Sequence, residues 1–188
     1  MTGRKKVQKY KKIISALEIV SKIIPKTIFK GIYNFSCISD GRIALLIRFL
    51  YVKKYTKSCG ENIYIGPYTI IKNIENLSLG SNISIHAHSY IDAFGNIKIG
   101  DNVSIASHCS MFSFNHTWSD NSLPIKYNAV EKMPIKIEND IWIGSGVKVL
   151  GGVVIQSRSV VAAGAVVNKN VKNNSIFAGV PAKEVKKI

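Results

Sequence analysis

From Cys59 to Val167 an apolar side chain returns at every sixth position of this 188-residue sequence, once three interruptions are allowed for. The series runs Cys59, Ile65, Ile71, then Leu79, Ile85, Ile91, then Ile99, Ile105, Met111, and resumes at Ile137, Ile143, Val149, Ile155, Val161 and Val167. Six is neither the roughly 3.6 of an α-helix nor the 2 of a single strand, so the chain is constrained to a repeat architecture. The residue two places earlier is also apolar at Ile63, Leu77, Ile83, Ile97, Val103, Ile141, Val147 and Val153, which gives short stretches with strand alternation. Turn formers follow, as in Ile65-Gly66-Pro67, Leu79-Gly80-Ser81-Asn82, Ile99-Gly100-Asp101-Asn102 and Ile143-Gly144-Ser145-Gly146. The expected object is a prism of short parallel strands, stacked coil upon coil around an apolar axis.

The interruptions refine this picture. Spacing widens to eight between Ile71 and Leu79 and between Ile91 and Ile99, and to 26 between Met111 and Ile137. With three hexads to a coil, all three breaks fall on one corner, which predicts five triangular coils over 59–76, 79–96, 99–116, 137–154 and 155–172. Residues 112–136 then leave the prism as one long loop, and loops of that length inside a domain are commonly functional. Three segments follow: a basic, largely helical extension over 1–57, the prism over 58–172, and a C-terminal tail over 173–188.

Charge is uneven along the chain. Residues 1–60 hold fourteen Lys or Arg against Glu18 and Asp40, for +12, while residues 61–188 contribute the remaining +3 of the total +15. Val7, Tyr10, Ile13, Ile14, Leu17, Val20, Ile23 and Ile24 follow helical spacing among Lys5, Lys9, Lys11, Lys12 and Lys22, and Pro25 ends or kinks that helix. A second apolar run, Ile43 to Val52, is broken by Arg48 and stops at Lys53-Lys54. Neither run reaches the roughly 20 residues needed to span a bilayer. An amphipathic basic helix suits peripheral contact with an anionic membrane face, or simple packing on the prism with its lysines solvated. Nucleic acid is not expected, because the basic stretch carries no reading motif. Cys37, Cys59 and Cys109 are odd in number and unpaired in spacing, and read as reduced thiols of a cytoplasmic protein, with Cys59 and Cys109 at strand positions.

The four histidines are His86, His88, His108 and His116. His86-x-His88 invites a metal reading, and three converging imidazoles could hold zinc. Both residues sit at a corner directly after Ile85, however, so a structural role is expected and no metal. His116 opens the long loop in Phe112-Ser113-Phe114-Asn115-His116-Thr117-Trp118, where aromatic neighbours can shield it from water. A neutral imidazole there can take a proton from a hydroxyl and return it to a leaving group.

Three further stretches carry a family resemblance: Ile99-Gly100-Asp101-Asn102-Val103 leading to Asn115-His116; Pro134 to Ser145, with Trp142; and Ala162-Ala163-Gly164-Ala165-Val166-Val167-Asn168-Lys169 followed by Ala178-Gly179-Val180-Pro181-Ala182-Lys183. Over residues 59–188 the chain resembles the hexapeptide-repeat acyltransferases, above all the maltose and galactoside O-acetyltransferases and those of bacterial surface polysaccharides. The resemblance implies a left-handed parallel β-helix, a homotrimer with sites between subunits, and transfer of acetyl from acetyl-CoA to a sugar or glycan hydroxyl. It implies His116 as catalytic base, and Ser145, Ala163, Asn168, Lys169, Lys183, Lys186 and Trp142 as the acetyl-CoA set, with the tail over 173–188 closing that site. Lys183 and Lys186 stand where relatives often carry arginine, so the charge is kept and the bidentate fork is lost. On the acceptor side it points to Asn115, His86 and Asp92; His86 stands where the small-sugar enzymes have asparagine, which argues against simple maltose or galactoside. N-acetylation of an amino sugar, a zinc hydrolyase on the same prism and a non-catalytic scaffold are the alternatives.

Overall fold

The computed structural model describes residues 13–188. The predicted helix positions Val7 and Tyr10, and the lysines up to Lys12, lie outside the described residues. Five complete coils follow one another. They are β1 (Ser58–Cys59), β2 (Ile63–Ile65) and β3 (Ile70–Lys72); β4 (Leu77–Leu79), β5 (Ile83–Ile85) and β6 (Tyr90–Asp92); β7 (Ile97–Ile99), β8 (Val103–Ile105) and β9 (Ser110–Phe112). After an excursion formed by β10 (Phe114–His116) and β11 (Val130–Lys132) come β12 (Ile135–Ile137), β13 (Ile141–Ile143) and β14 (Lys148–Val149), then β15 (Val154–Ile155), β16 (Ser159–Val161) and β17 (Val166–Val167).

Hydrogen bonding sorts these strands into three parallel sheets, one per side of the prism. Face A is β1-β4-β7-β12-β15, face C is β3-β6-β9-β14-β17, and face B contains β2-β5-β8-β13-β16. Face B continues past residue 172: β18 (Ser175–Ala178) adds a sixth parallel strand, and β19 (Lys183–Lys187) turns back antiparallel upon it. The register follows the count of six, with Ile65 beside Ile85 and Ile85 beside Ile105, and Ile91 beside Met111. From Leu79 to Val167 every residue of that count is buried. Each such aliphatic side chain contributes about 1.5–3 kcal/mol by leaving water. Cys59 and Ile71 are only partly buried, because the first coil has no coil beneath it.

The N-terminal helices cover that open end. Residues 13–21 are helical (α1), Pro25 caps α2 (Lys26–Ser36), and α3 is Arg42–Tyr55. Phe29, Tyr33, Tyr51 and Tyr55 form an aromatic seam between α2 and α3. The Lys54 ammonium donates to the carbonyls of Ser21 (2.9 Å), Lys22 (3.1 Å) and Ile24 (2.7 Å), satisfying the orphaned acceptors at the end of α1.

Arg48, which reads in the sequence as a break in an apolar run, is 0 % exposed. Its Nε donates to the Ile65 carbonyl of the first coil at 2.7 Å, and Nη1 donates to the carbonyls of Ser36 and Ser39 at the end of α2. The guanidinium thus ties the helices to the prism. Cys109 also differs from expectation: it is buried at a corner just before β9, with its thiol 3.1 Å from the Gly144 carbonyl.

Candidate active site

The corners between strands position the chemistry. Between faces B and C each turn has four residues, and the third takes a positive φ in every coil: Tyr68 (55°), His88 (61°), His108 (61°), Gly146 (73°) and Gly164 (72°). In the lower coils these residues form a stack, with Tyr68 to His88 and His88 to His108 both at 4.8 Å between ring centroids and their planes within 9° and 2°. The two imidazoles meet face to face, and among the described residues no group of three or more His, Cys, Asp or Glu could hold a metal. In the two upper coils the stack gives way to glycine. A Cβ placed on Gly164 would meet nothing within 4 Å. The result is a shelf free of side chains, flanked by Ser145 and Ala163, whose next-lower neighbour Ser107 lies 3.1 Å away from the Ser145 hydroxyl.

The wide corner between faces C and A carries the long excursion. Sequence alone suggests a loop; the structure makes it an antiparallel ribbon, with Phe114 opposite Lys132, Asn115 opposite Glu131 and His116 opposite Val130. Its root is fixed by buried Ser113, whose carbonyl accepts from the Met133 amide at 2.8 Å and whose hydroxyl accepts from the Gly95 amide at 2.9 Å. At its far end buried Asn128 accepts from the Asp120 amide (2.9 Å) and donates to the carbonyls of Asp120, Leu123 and Pro124. The histidine is therefore borne on an ordered element.

His116, Asn115, Phe112, Phe114, Met133, Leu150, Gly151 and Asn168 line one cleft of about 330 Å3. Aromatic shielding of His116 is one-sided. Phe114 approaches edge-on at 6.4 Å, while His116 and Trp118 are both exposed, because the ribbon stands off the prism and its outer side meets solvent in a single chain. Phe94 and Phe112 extend the aromatic wall beside Phe114. A second recess, of about 270 Å3 on face A, is lined by Ser78, Lys98, Asp101 and Asn139 among others and holds none of the candidate catalytic, acetyl-CoA or acceptor residues.

The sequence-derived residues thus fall into two groups. His116, Asn115 and Asn168 share the C/A cleft, with Lys169 next to Asn168. Asp92 is at the same corner, where its Oδ1 accepts from Asn73 Nδ2 (2.7 Å) and the Phe94 amide (3.2 Å), a turn-bracing role. Ser145 and Ala163 occupy the B/C corner instead, as does exposed His86, whose ring tilts against Tyr64 at 5.3 Å. Trp142, 58 % exposed, stands on the outside of face B in register with Val160, which pairs with Ile176, which pairs with Lys186. Lys183 and Lys186 are both exposed on β19. Sequence reasoning anticipated the aromatic Phe112 and Phe114 beside His116, and missed the glycine shelf and the cleft-lining Met133 and Leu150. The signal for the shelf was present, since glycine replaces a bulky residue at the same count in the two upper coils.

None of the three thiols is poised to react: burial pushes those of Cys37 and Cys109 up, and that of Cys59 up to about 11.

Residues 134–169 match the family described as bacterial transferase hexapeptide (six repeats). The galactoside O-acetyltransferase of Escherichia coli K12 is 40% identical over 63 residues, 34% of this chain and 31% of that one. The putative lipopolysaccharide biosynthesis O-acetyl transferase WbbJ of the same strain is 36% identical over 77 residues, 40% of this chain and 39% of that one. The matched stretches span only 24% to 39% of such curated relatives. In three dimensions the likeness is longer: a galactoside acetyltransferase in complex with coenzyme A superposes with a TM-score of 0.76 at 28% identity, covering 87% of this chain and 80% of that one. Residues 134–169 therefore carry a hexapeptide-repeat match, and the chain has a parallel β-helix fold similar to that of the galactoside acetyltransferase.

Proposed function

We propose that the chain is an acetyl-CoA-dependent O-acetyltransferase acting on a sugar hydroxyl of a bacterial surface glycan or its precursor, with His116 as general base. The observation that carries this reading is the pairing of an ordered, histidine-bearing cleft with a separate corner stripped of side chains. The shelf at Gly146 and Gly164 fits a narrow pantetheine arm, and the exposed ammonium groups of Lys183 and Lys186 fit the phosphates of coenzyme A. In this arrangement β19 and the rest of the tail close the co-substrate site.

The two halves lie on different corners of one prism. A histidine on the C/A corner meets a shelf on the B/C corner only where two copies adjoin, which is what a homotrimer with shared sites supplies. The His116 imidazole would remove the proton from the acceptor hydroxyl as its oxygen attacks the thioester carbon. The Ser145 amide of the facing wall would donate to the resulting oxyanion, a contribution of about 3 kcal/mol for such donors. Collapse of the tetrahedral species breaks the C–S bond, and the imidazolium returns its proton to the departing thiolate. No step uses a cysteine, in keeping with the raised thiol pKa values.

Labelled acetyl-CoA offered with a panel of glycan acceptors tests the reaction. Label released by mild alkali marks an ester, whereas label retained marks an amide and selects N-acetylation instead. His116→Ala is expected to lower kcat by about a hundred- to ten-thousand-fold with little change in acetyl-CoA affinity; near-normal turnover removes His116 from the base role.

A further inference from the structure

The N-terminal helices carry an apolar row that nothing in the described chain covers. α2 buries Phe29, Tyr33 and Ser36, a helical i, i+4, i+7 set, toward the rest of the fold. A second set at the same spacing, Ile28, Ile32 and Phe35, faces outward, with Phe35 78 % exposed. Ile23 just before α2, at 81 % exposed, Ile38 in the connection to α3 and Ile43 in the first turn of α3 add to it. Apolar surface concentrated in this way marks an interaction site.

The charge of the same segment identifies the partner. Residues 1–60 carry +12, six of the cations fall within residues 1–12 without an acid, and Lys22, Lys30 and Arg42 are exposed beside the apolar residues in sequence. No described helix is long and apolar enough to cross a membrane. A second copy would bring two such cationic segments together, each holding only two acids of its own, Glu18 and Asp40. A row of isoleucines with Phe35 as its one aromatic offers no series of stacking surfaces for successive bases. We infer that the N-terminal helices dock on an anionic lipid bilayer, with Ile28, Ile32 and Phe35 entering the boundary between headgroups and acyl chains and the cations meeting lipid phosphates.

Co-sedimentation of the full chain with vesicles tests this. Vesicles of phosphatidylcholine with about one-third phosphatidylglycerol should pull the protein down, and pure phosphatidylcholine should not. Both Ile28→Ser/Ile32→Ser/Phe35→Ser and Lys22→Glu/Lys30→Glu/Arg42→Glu should weaken that binding by about tenfold or more, with unchanged circular dichroism and an unchanged mass by light scattering. Equal sedimentation with both vesicle types, or wild-type binding by the serine variant, overturns the inference. A fall in oligomer mass in the serine variant also overturns it, by making a second copy the occupant.

Discussion

Arg48 donates to three backbone carbonyls while its own side chain is wholly out of contact with solvent. Arg48→Ala would strand the carbonyls of Ser36 and Ile65, while that of exposed Ser39 can turn to water, and buried hydrogen bonds to a charged group contribute about 1.5–3 kcal/mol each before relaxation. A loss of about 3 kcal/mol or more is expected from urea unfolding, with only partial rescue by Arg48→Lys, whose ammonium lacks the planar fork. The sequence could not show this role, because an arginine in an apolar helix has the same appearance whether it snorkels to solvent or reaches inward to another element's carbonyls. Cys59 permits a second measurement. Its thiol ionises near 9 in an unfolded chain and near 11 in the fold, where burial disfavours the thiolate. The unfolded state therefore loses its proton first as pH rises, so this stabilisation is complete below pH 9 and is lost between 9 and 11. Cys59→Ala should flatten the decline of the unfolding midpoint over that window; an identical decline would show that the thiol does not cause it.

At the scale of elements, the coils were legible because their signal is local: each inward Ile or Val and each turn residue is set by its own hexad. The ribbon was not. Its pairing joins Phe114 to Lys132 and its closure rests on Asn128 bonding back to Asp120, and neither partner repeats along the sequence. The shelf lies between these cases, since it is local in cause but visible only when the corners are stacked. Gly164→His tests it directly, because histidine already holds the same left-handed corner position at 88 and 108. The change should cost about 1–2 kcal/mol of backbone strain and place a ring where the pantetheine arm is proposed to lie. We expect KM for acetyl-CoA to rise about tenfold, equivalent to about 1.4 kcal/mol, with a smaller effect on the acceptor KM. Unchanged acetyl-CoA kinetics in a folded variant would show that the co-substrate lies elsewhere.

The whole molecule is where the two halves of the proposed site must be reconciled. His116 and Asn168 share one cleft, while Ser145, Ala163 and the glycine shelf occupy another corner of the same prism. If the reaction takes place between copies, a defective histidine and a defective shelf need not disable the same site when they sit on different chains. In a trimer assembled at random from equal amounts of His116→Ala and Gly164→His chains, an interface is intact when an intact histidine faces an intact shelf. That condition is met at about one interface in four for a closed cyclic arrangement. Co-expressed and co-purified, the two variants should therefore recover about a quarter of wild-type activity at limiting acetyl-CoA, although each alone is weak. If both halves instead belonged to one chain, every site would carry one lesion and the mixture would do no better than the average of its parents. Mixing the variants after separate purification provides the control, since stable oligomers that do not exchange subunits should show no recovery until they are unfolded and reassembled together.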